Sequence, residues 1–321
     1  MKLQVSKKII LVYHAFCAGE TSSGNENYFG RQGAVPIATL RKQLSWLSEF
    51  ADFVTLDKIL CSGPTDTWQV AVTMDDGYRN NLSLALPVFE QFEVPVTWFV
   101  TTQFVKEDIL PWWDLVDFAV RVVQPELSID PGPGCVSFDL TDPSDQKDFR
   151  SRSKRWFLEA SPEVADRVRR DIEAGIPGEI PSNAFAQPSE IKNACSSPWL
   201  DLGAHTVTHP NLARQSSQDV RREMKEGKEK LESWTNQPVD WFAYPYGGRA
   251  HWDNCTKRIA FEEGFDGAMT TVRAYADQRK DLFEVPRLTV PNTRALWKTK
   301  AWILATNTCR EVFQLKQEWI G

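Results

Sequence analysis

The sequence predicts an α/β protein built on a parallel sheet that closes into a distorted barrel of seven or eight strand–helix units. Short apolar runs rich in β-branched residues alternate with segments whose apolar residues recur at helical spacing. Polar and ionisable residues directly follow several of these runs, as expected at the carboxyl ends of barrel strands. A length of 321 residues suits one such barrel that carries an insertion.

The apolar patterns place the elements of the barrel. The predicted strands are 8–13, 52–56, 69–74, 94–101, 199–204, 239–244, 264–270 and 283–290. The predicted helices are 36–50, a segment with an apolar stripe over 82–89, 217–234, 253–263 and 293–306. Strands that alternate with helices in this way favour a parallel sheet.

The alternation stops between about residues 103 and 199. Helical patterns at 112–123, 146–160 and 162–174 are separated there by segments rich in proline and glycine. We interpret this stretch as a largely helical insertion within a single domain of residues 1–321. The insertion either caps the active face or is a structural appendage.

The composition excludes several classes of protein. A net charge of −6 provides no basic surface for nucleic acid. No window approaches the roughly 20 apolar residues of a membrane span, and the N-terminus lacks the pattern of a signal peptide. The six cysteines show no Cys-x-x-Cys spacing and are interpreted as reduced thiols. Together these features predict a soluble, cytoplasmic protein.

Two adjacent carboxylates, Asp75 and Asp76, end the strand 69–74 and are followed by Gly77. Like charges a few ångström apart raise one another's pKa, so such a pair persists mainly where a cation, a proton or open water relieves it. The alternative is an Asp-Gly turn in which one aspartate caps the next helix.

Two of the four histidines, His205 and His209, directly follow the strand 199–204. Imidazoles four residues apart on a turn or short helix can present both rings to one ion, although such a pair is also common in ordinary structure. Adding a carboxylate from Asp76 gives three protein ligands and leaves positions open for water and substrate, as a catalytic divalent metal requires.

These motifs resemble those of the polysaccharide deacetylase family, also called the NodB-homology or carbohydrate esterase family 4 group. The resemblance rests on 73–77 (TMDDG), 205–209 (HTVTH) and 242–247 (FAYPYG). In motif order it is closest to the poly-N-acetylglucosamine deacetylase branch. The resemblance implies a NodB-type barrel. It also implies a hydrolase that removes the N-acetyl group of an amino sugar in a polysaccharide, a lipopolysaccharide or a glycan precursor.

The same resemblance implies roles for individual residues. Asp76, His205 and His209 would hold the metal, with Zn²⁺ expected and Co²⁺, Ni²⁺ or Fe²⁺ as alternatives. Asp75 would be the catalytic base, and the backbone N–H of Tyr246 would help to form the oxyanion hole. This division suits amide hydrolysis, which needs an activated water, a carboxylate to take its proton and positive charge at the developing oxyanion.

The chain departs from the family pattern in two places. Ala243 stands where many members have an arginine, and no Leu-x-His motif near the C-terminus supplies the usual general acid. Tyr13-His14 resembles the Tyr-His that opens the poly-N-acetylglucosamine deacetylase branch, which makes His14 the expected acid. Arg287 either replaces the missing guanidinium that orients Asp75 or belongs to an ordinary salt bridge.

Other functions fit parts of the pattern. The substrate is alternatively a formamido sugar or another small or cyclic amide. A protein of another class, a carbohydrate-binding barrel without catalysis, would use tryptophans as stacking platforms, with Trp112, Trp113, Trp199 and Trp252 as candidates. Retention of both aspartates and the three motif histidines argues against that class. His251 receives no role beyond possible substrate contact.

Overall fold

The structure is a computed structural model that describes residues 7–19, 34–63, 65–107, 109–123, 125–132, 134–279, 281–291 and 295–306. The chain divides into two compact units. The first unit comprises Met1–Lys106 and Phe185–Gly321, and the second comprises Glu107–Ala184. Whether the second unit is an insertion in a single domain stays a prediction of the sequence.

Twelve strands lie within the described residues. They are β1 (Lys8–Tyr13), β2 (Phe16–Cys17), β3 (Val35–Pro36), β4 (Ala51–Phe53), β5 (Trp68–Met74), β6 (Val96–Val100), β7 (Glu126–Ile129), β8 (Val136–Asp139), β9 (Leu200–Ala204), β10 (Trp241–Ala243), β11 (Gly267–Met269) and β12 (Leu288–Thr289).

Eleven α-helices accompany them in the described part of the chain. They are α1 (Ile37–Leu47), α2 (Leu56–Cys61), α3 (Leu86–Gln91), α4 (Thr102–Glu107), α5 (Trp112–Val122), α6 (Pro143–Glu159), α7 (Pro162–Gly175), α8 (Pro188–Ala194), α9 (Ser217–Thr235), α10 (Asn254–Glu262) and α11 (Leu296–Leu304). A π-helical turn, Asn81–Ala85, precedes α3.

The first unit is built on one parallel sheet with the strand order β11–β10–β9–β6–β5–β1–β12, in which β4 also pairs with β5. Along this path of seven strands the sheet curls into a half barrel surrounded by helices. The fold class predicted from the sequence, a distorted parallel barrel of seven or eight strands, is therefore confirmed. The central strands β1 and β6 are buried along their whole length, which explains their continuous apolar sequences.

Several predicted boundaries are wrong. The extended piece predicted at 52–56 is only β4, and the helix α2 follows it, capped by the side chain of Thr55. The strands predicted at 239–244, 264–270 and 283–290 shrink to two or three residues each. In these segments much of the apolar sequence is buried in loops rather than paired in the sheet.

The parallel register aligns the carboxyl ends of the strands. Tyr13 pairs with Met74 across β1 and β5, and Val100 pairs with Ala204 across β6 and β9. The residues that follow these ends therefore share one edge of the sheet, as the carboxyl ends of barrel strands do. They include His14, Asp75 and His205.

The second unit combines the antiparallel hairpin β7–β8 with the helices α5, α6 and α7. The hairpin was not predicted. Within this unit the rings of Phe138 and Phe149 pack 5.2 Å apart. Asp117 pairs with Arg121 and with Arg150 at 3.3 and 3.0 Å.

None of the helices in the described ranges is both long enough and apolar enough to cross a membrane. Five cysteines lie in the described part of the chain and form no disulfide there, whereas Cys309 lies outside it.

Candidate metal centre and active site

Three buried side chains converge at the carboxyl edge of the sheet. Asp76 lies just beyond β5, and His205 and His209 follow β9. The Nε2 atoms of His205 and His209 lie 3.6 and 3.5 Å from Oδ1 of Asp76, and the ligand atoms of all three lie within 4.8 Å of one another. Atoms held 2.0–2.1 Å from a tetrahedral zinc ion lie about 3.3 Å apart. The spacing therefore suits a divalent metal.

The ring orientation of His205 also fits a metal ligand. Its Nδ1 lies 2.7 Å from the carbonyl oxygen of Ala243. A carbonyl oxygen only accepts, so Nδ1 carries the proton and Nε2 presents its lone pair toward Asp76. Burial lowers the pKa of His205 to about 4 and that of His209 well below its usual value. Both imidazoles are therefore neutral near pH 7, as metal ligation requires.

Unusual backbone conformations cluster at this site. Asp76, Thr206, His209 and Tyr246 all have positive φ angles, of 79°, 69°, 60° and 61°. Such conformations cost about 1–3 kcal/mol each and persist where the surroundings hold them. Left-handed backbone at both ends of the metal-ligand sequence turns the side chains of His205 and His209 toward the same point.

Asp75 faces a different partner from its neighbour Asp76. The guanidinium of Arg287 donates to both carboxylate oxygens of Asp75, at 2.8 and 2.7 Å. It also donates to the hydroxyl of Thr73 at 3.0 Å and to the carbonyl of Thr270 at 3.2 Å. Arg287 is 0% exposed and Asp75 2% exposed. Two alternatives were stated for Arg287: a guanidinium that orients Asp75 in place of the arginine missing at position 243, or an ordinary salt bridge. The two-pronged geometry favours the first.

The pKa of Asp75 reflects this pairing. Burial alone would raise the pKa of the carboxyl group, but the charge of Arg287, assisted by its hydrogen bonds, holds that pKa below its ordinary value. Asp75 is therefore ionised at neutral pH. Each carboxylate oxygen has a second lone pair, so pairing with Arg287 leaves Asp75 able to accept a proton.

Arg287 is covered by the ring of Phe99 on β6, whose centroid lies 5.2 Å from the guanidinium carbon. Phe99 in turn depends on Gly203, its partner in β9. A Cβ at position 203 would lie 2.3 Å from two atoms of the Phe99 ring. Only glycine lets the ring stay where it covers Arg287.

His14 follows β1 at the same edge, where it is partly buried. The side-chain amide of Asn81 donates to the His14 carbonyl at 2.7 Å and accepts from the indole of Trp98 at 2.9 Å. The backbone N–H of Asp75 donates to the Tyr13 carbonyl at 3.0 Å. These bonds tie the end of β1 to the segment that carries the two aspartates.

The charge environment of His14 includes the other site residues. Burial lowers the pKa of His14, the negative charge of Asp75 raises it, and the positive charge of Arg287 lowers it again. The net direction is downward, so the imidazole is neutral near pH 7 and becomes a strong acid once it takes up a proton.

Tyr246 lies beside the metal-ligand sequence. Its ring packs edge-on against His209, with ring centroids 4.6 Å apart, and lies tilted against the ring of His251 at 5.1 Å. The hydroxyl of Thr271 donates to the Tyr246 carbonyl at 2.7 Å, which holds this left-handed residue in place. His251 thus lies one ring away from a candidate metal ligand.

Two contributors were missed from the sequence. Asn81 holds the backbone of His14, and Glu223 on α9 binds the segment between the two histidines. Trp252, a candidate stacking platform of the binding-protein alternative, is buried and stacks on Tyr244 at 5.5 Å. It is therefore unable to offer a free face to a sugar.

The curled parallel half barrel with its surrounding helices matches the NodB type of barrel. More narrowly, the chain belongs to the polysaccharide deacetylase family, whose family model matches residues 62–130 and 160–268. The matched residues include both aspartates and the candidate metal-ligating histidines, whereas His14 and Arg287 lie outside them.

Solved structures agree on the fold. The chain is similar to the Streptococcus pyogenes deacetylase PplD in complex with acetate, with 17% identity, a TM-score of 0.60 and coverage of 95% of this chain and 100% of that one. IcaB from Ammonifex degensii has 17% identity, a TM-score of 0.56 and coverage of 94% and 96%. A de-N-acetylase from Aggregatibacter actinomycetemcomitans has 12% identity, a TM-score of 0.56 and coverage of 92% and 98%. A search of curated protein sequences finds no match.

Proposed function

We propose that the protein is a metal-dependent deacetylase that hydrolyses the N-acetyl amide of an amino sugar in a polysaccharide, lipopolysaccharide or glycan precursor. One observation carries the proposal. A cluster of Asp76, His205 and His209 with metal-ligand spacing lies next to a second aspartate that is held ionised by Arg287. Membership of the polysaccharide deacetylase family supports an N-acetylated carbohydrate as substrate.

The cluster would hold the metal, for which we propose Zn²⁺, with Co²⁺, Ni²⁺ or Fe²⁺ as alternatives. When bound, a divalent ion in such a site lowers the pKa of water and polarises a carbonyl oxygen. Two neutral imidazoles and one carboxylate are one of the ligand sets found in catalytic zinc sites. Because Nδ1 of His205 carries the proton, Nε2 is the ring nitrogen with a lone pair for the metal.

The remaining residues move protons and stabilise charge. Asp75 takes the proton of the attacking water, while Arg287 keeps that carboxylate oriented and ionised until the proton arrives. The backbone N–H of Tyr246 donates to the oxygen of the acetyl group as it becomes an oxyanion. His14, in its protonated form, gives a proton to the sugar nitrogen as the C–N bond breaks, because an amine leaves poorly without one.

The test uses purified protein loaded with Zn²⁺ or Co²⁺ and oligomers of N-acetylglucosamine as the probe. Acetate is measured enzymatically, and the free amine is measured by mass spectrometry. Chelated wild type and His205→Ala are the matched controls, and both are expected to lose activity. An N-formylated sugar and a small cyclic amide are run in parallel. Faster turnover of either would reassign the substrate, and full activity of the chelated protein would remove the metal from the mechanism.

A further inference from the structure

Helix α9 contacts the metal loop, which we define as residues 205–209. The side chain of Glu223 is 4% exposed. Its Oε2 accepts from the backbone N–H groups of Val207 and Thr208 at 2.9 and 2.8 Å, and its Oε1 accepts from the Thr208 hydroxyl at 2.8 Å. Charge-assisted hydrogen bonds of this kind are about twice as strong as neutral ones. None of the catalytic steps above uses Glu223.

The same face of α9 touches the loop one turn later. A Cβ at Gly227 would lie 3.1 Å from the carbonyl carbon of Thr206 and 3.3 Å from its oxygen. The absence of a side chain therefore brings the helix backbone against the loop backbone. Glu223 and Gly227 are four residues apart and so lie on one helix face. The loop is held by a carboxylate at one turn and by direct backbone packing at the next.

The loop needs such support because it is strained. Thr206 and His209 have φ angles of 69° and 60°, and positive φ is especially unfavourable for a β-branched residue such as threonine. The hydroxyl of Thr206 accepts from the N–H of His209 at 3.0 Å, which closes the turn from within. The two N–H groups that Glu223 binds lie between the strained residues. Without that carboxylate, these amides would reorient toward water and the strain would relax.

We propose that Glu223 is a positioning residue for the metal centre: it holds the metal loop in the strained conformation that aims both imidazoles at Asp76, and thereby sets the metal affinity. The inference rests on the proposed function in one respect, namely that Asp76, His205 and His209 hold the metal. It assigns Glu223 no contact with metal or substrate.

A merely structural Glu223 predicts a different result. If the carboxylate only stabilised the fold, its loss would destabilise the metal-free and metal-loaded proteins equally, and the dissociation constant for the metal would not change. If the carboxylate positions the loop, its removal lowers the free energy of unfolding more in the metal-loaded protein than in the metal-free protein. The reason is that metal binding must then supply the free energy needed to strain the loop. The dissociation constant and the stability difference between the two forms measure the same quantity independently.

The experiment measures the dissociation constants for Zn²⁺ and Co²⁺ by competition with a chromophoric chelator. It also measures the free energy of unfolding of each protein with and without metal. Glu223→Ala should weaken binding about 10–100-fold, the range found when outer-shell partners of metal ligands are removed. Glu223→Gln should weaken it less, since its amide oxygen still accepts. At saturating Co²⁺ the visible spectrum should match that of wild type, because the ligands are unchanged.

Three controls make the result decisive. Glu226→Gln alters an exposed glutamate on the same helix and should leave the metal affinity unchanged. Thr208→Val removes only the hydroxyl bond at an exposed position, so it covers the case in which Glu223→Ala does not fold. It should weaken binding less than Glu223→Ala. An affinity of Glu223→Ala within twofold of wild type overturns the inference. If that variant does not fold, an affinity within twofold of wild type in both Glu223→Gln and Thr208→Val overturns it. If instead His205→Ala binds metal as tightly as wild type, the proposed metal site itself is wrong.

Discussion

Replacing Arg287 by methionine should destabilise the metal-free protein by about 3–5 kcal/mol at neutral pH. Methionine fills much of the same volume but leaves the buried Asp75 carboxylate without the two donors that now lie at 2.8 and 2.7 Å, and breaking a buried pair on one side costs about that much. With an unfolding entropy of about 2.1 cal/mol/K per residue, a chain of 321 residues would melt about 4–7 °C lower.

The loss should depend on pH in a defined direction. In wild type the folded pKa of Asp75 is depressed, so the pair contributes stability above the unfolded pKa of about 3.9, and that stability is lost as the pH falls through the folded value. Arg287→Met removes the largest influence that lowers the pKa of Asp75, so burial, which raises the carboxyl pKa, then has the largest effect. The variant then regains stability as the carboxyl group is protonated. The difference in free energy of unfolding between variant and wild type should therefore become smaller as the pH falls from about 8 to about 5.

The assay is denaturant unfolding of both metal-free proteins across that pH range at constant ionic strength. Arg287→Met combined with Asp75→Asn should recover most of the loss, because the buried charge is then gone. Arg287→Lys keeps a positive charge but not the two-pronged geometry, so it should recover only part. A loss below about 1 kcal/mol, or a difference that does not change with pH, would refute the view that this pair compensates a buried charge.

Three further predictions concern the site residues. His205→Ala should lose metal on elemental analysis, since two ligands hold a divalent ion poorly; full occupancy would contradict the ligand set. Asp75→Asn should keep the metal but lose about 10²–10⁴-fold in turnover, as general-base loss does; loss of metal instead would show that the two aspartates have exchanged roles. His14→Ala should remove the alkaline limb of a bell-shaped pH–rate profile and slow an amide far more than an ester of similar shape, whose leaving group needs a proton less. Equal losses on both substrates, measured on folded and metal-loaded protein, would take His14 out of the mechanism.

The sequence predicts the central strands well because burial on both faces leaves a continuous apolar run, as at residues 8–13. The same argument fails for the C-terminal strands, where apolar residues are buried without pairing in the sheet. The hairpin β7–β8 was missed because its strands have four residues each and lie in a segment rich in proline and glycine between two helical patterns. A run this short carries little periodicity.

The candidate site also has features that the sequence predicts and features that it does not. Motif spacing brought Asp76, His205 and His209 together correctly, since residues after parallel strands share one edge. The pairing of Arg287 with Asp75 was left open, because a sequence does not reveal which charged side chain is fully buried. Glu223 did leave a signal. It falls within the apolar stripe of α9, next to Met224, where a solvent-exposed glutamate would not be expected.

Gly203 shows how far the packing around the Arg287–Asp75 pair extends into the sheet. It carries no functional group, yet any side chain there would displace the Phe99 ring that covers Arg287. During evolutionary drift, position 203 should therefore tolerate as little change as the residues proposed as acid and base. A map of mutational tolerance would show a connected set of intolerant positions, namely Asp75, Arg287, Phe99 and Gly203. Such a set would mark the chain of contacts that a designer must copy when moving this site to another barrel.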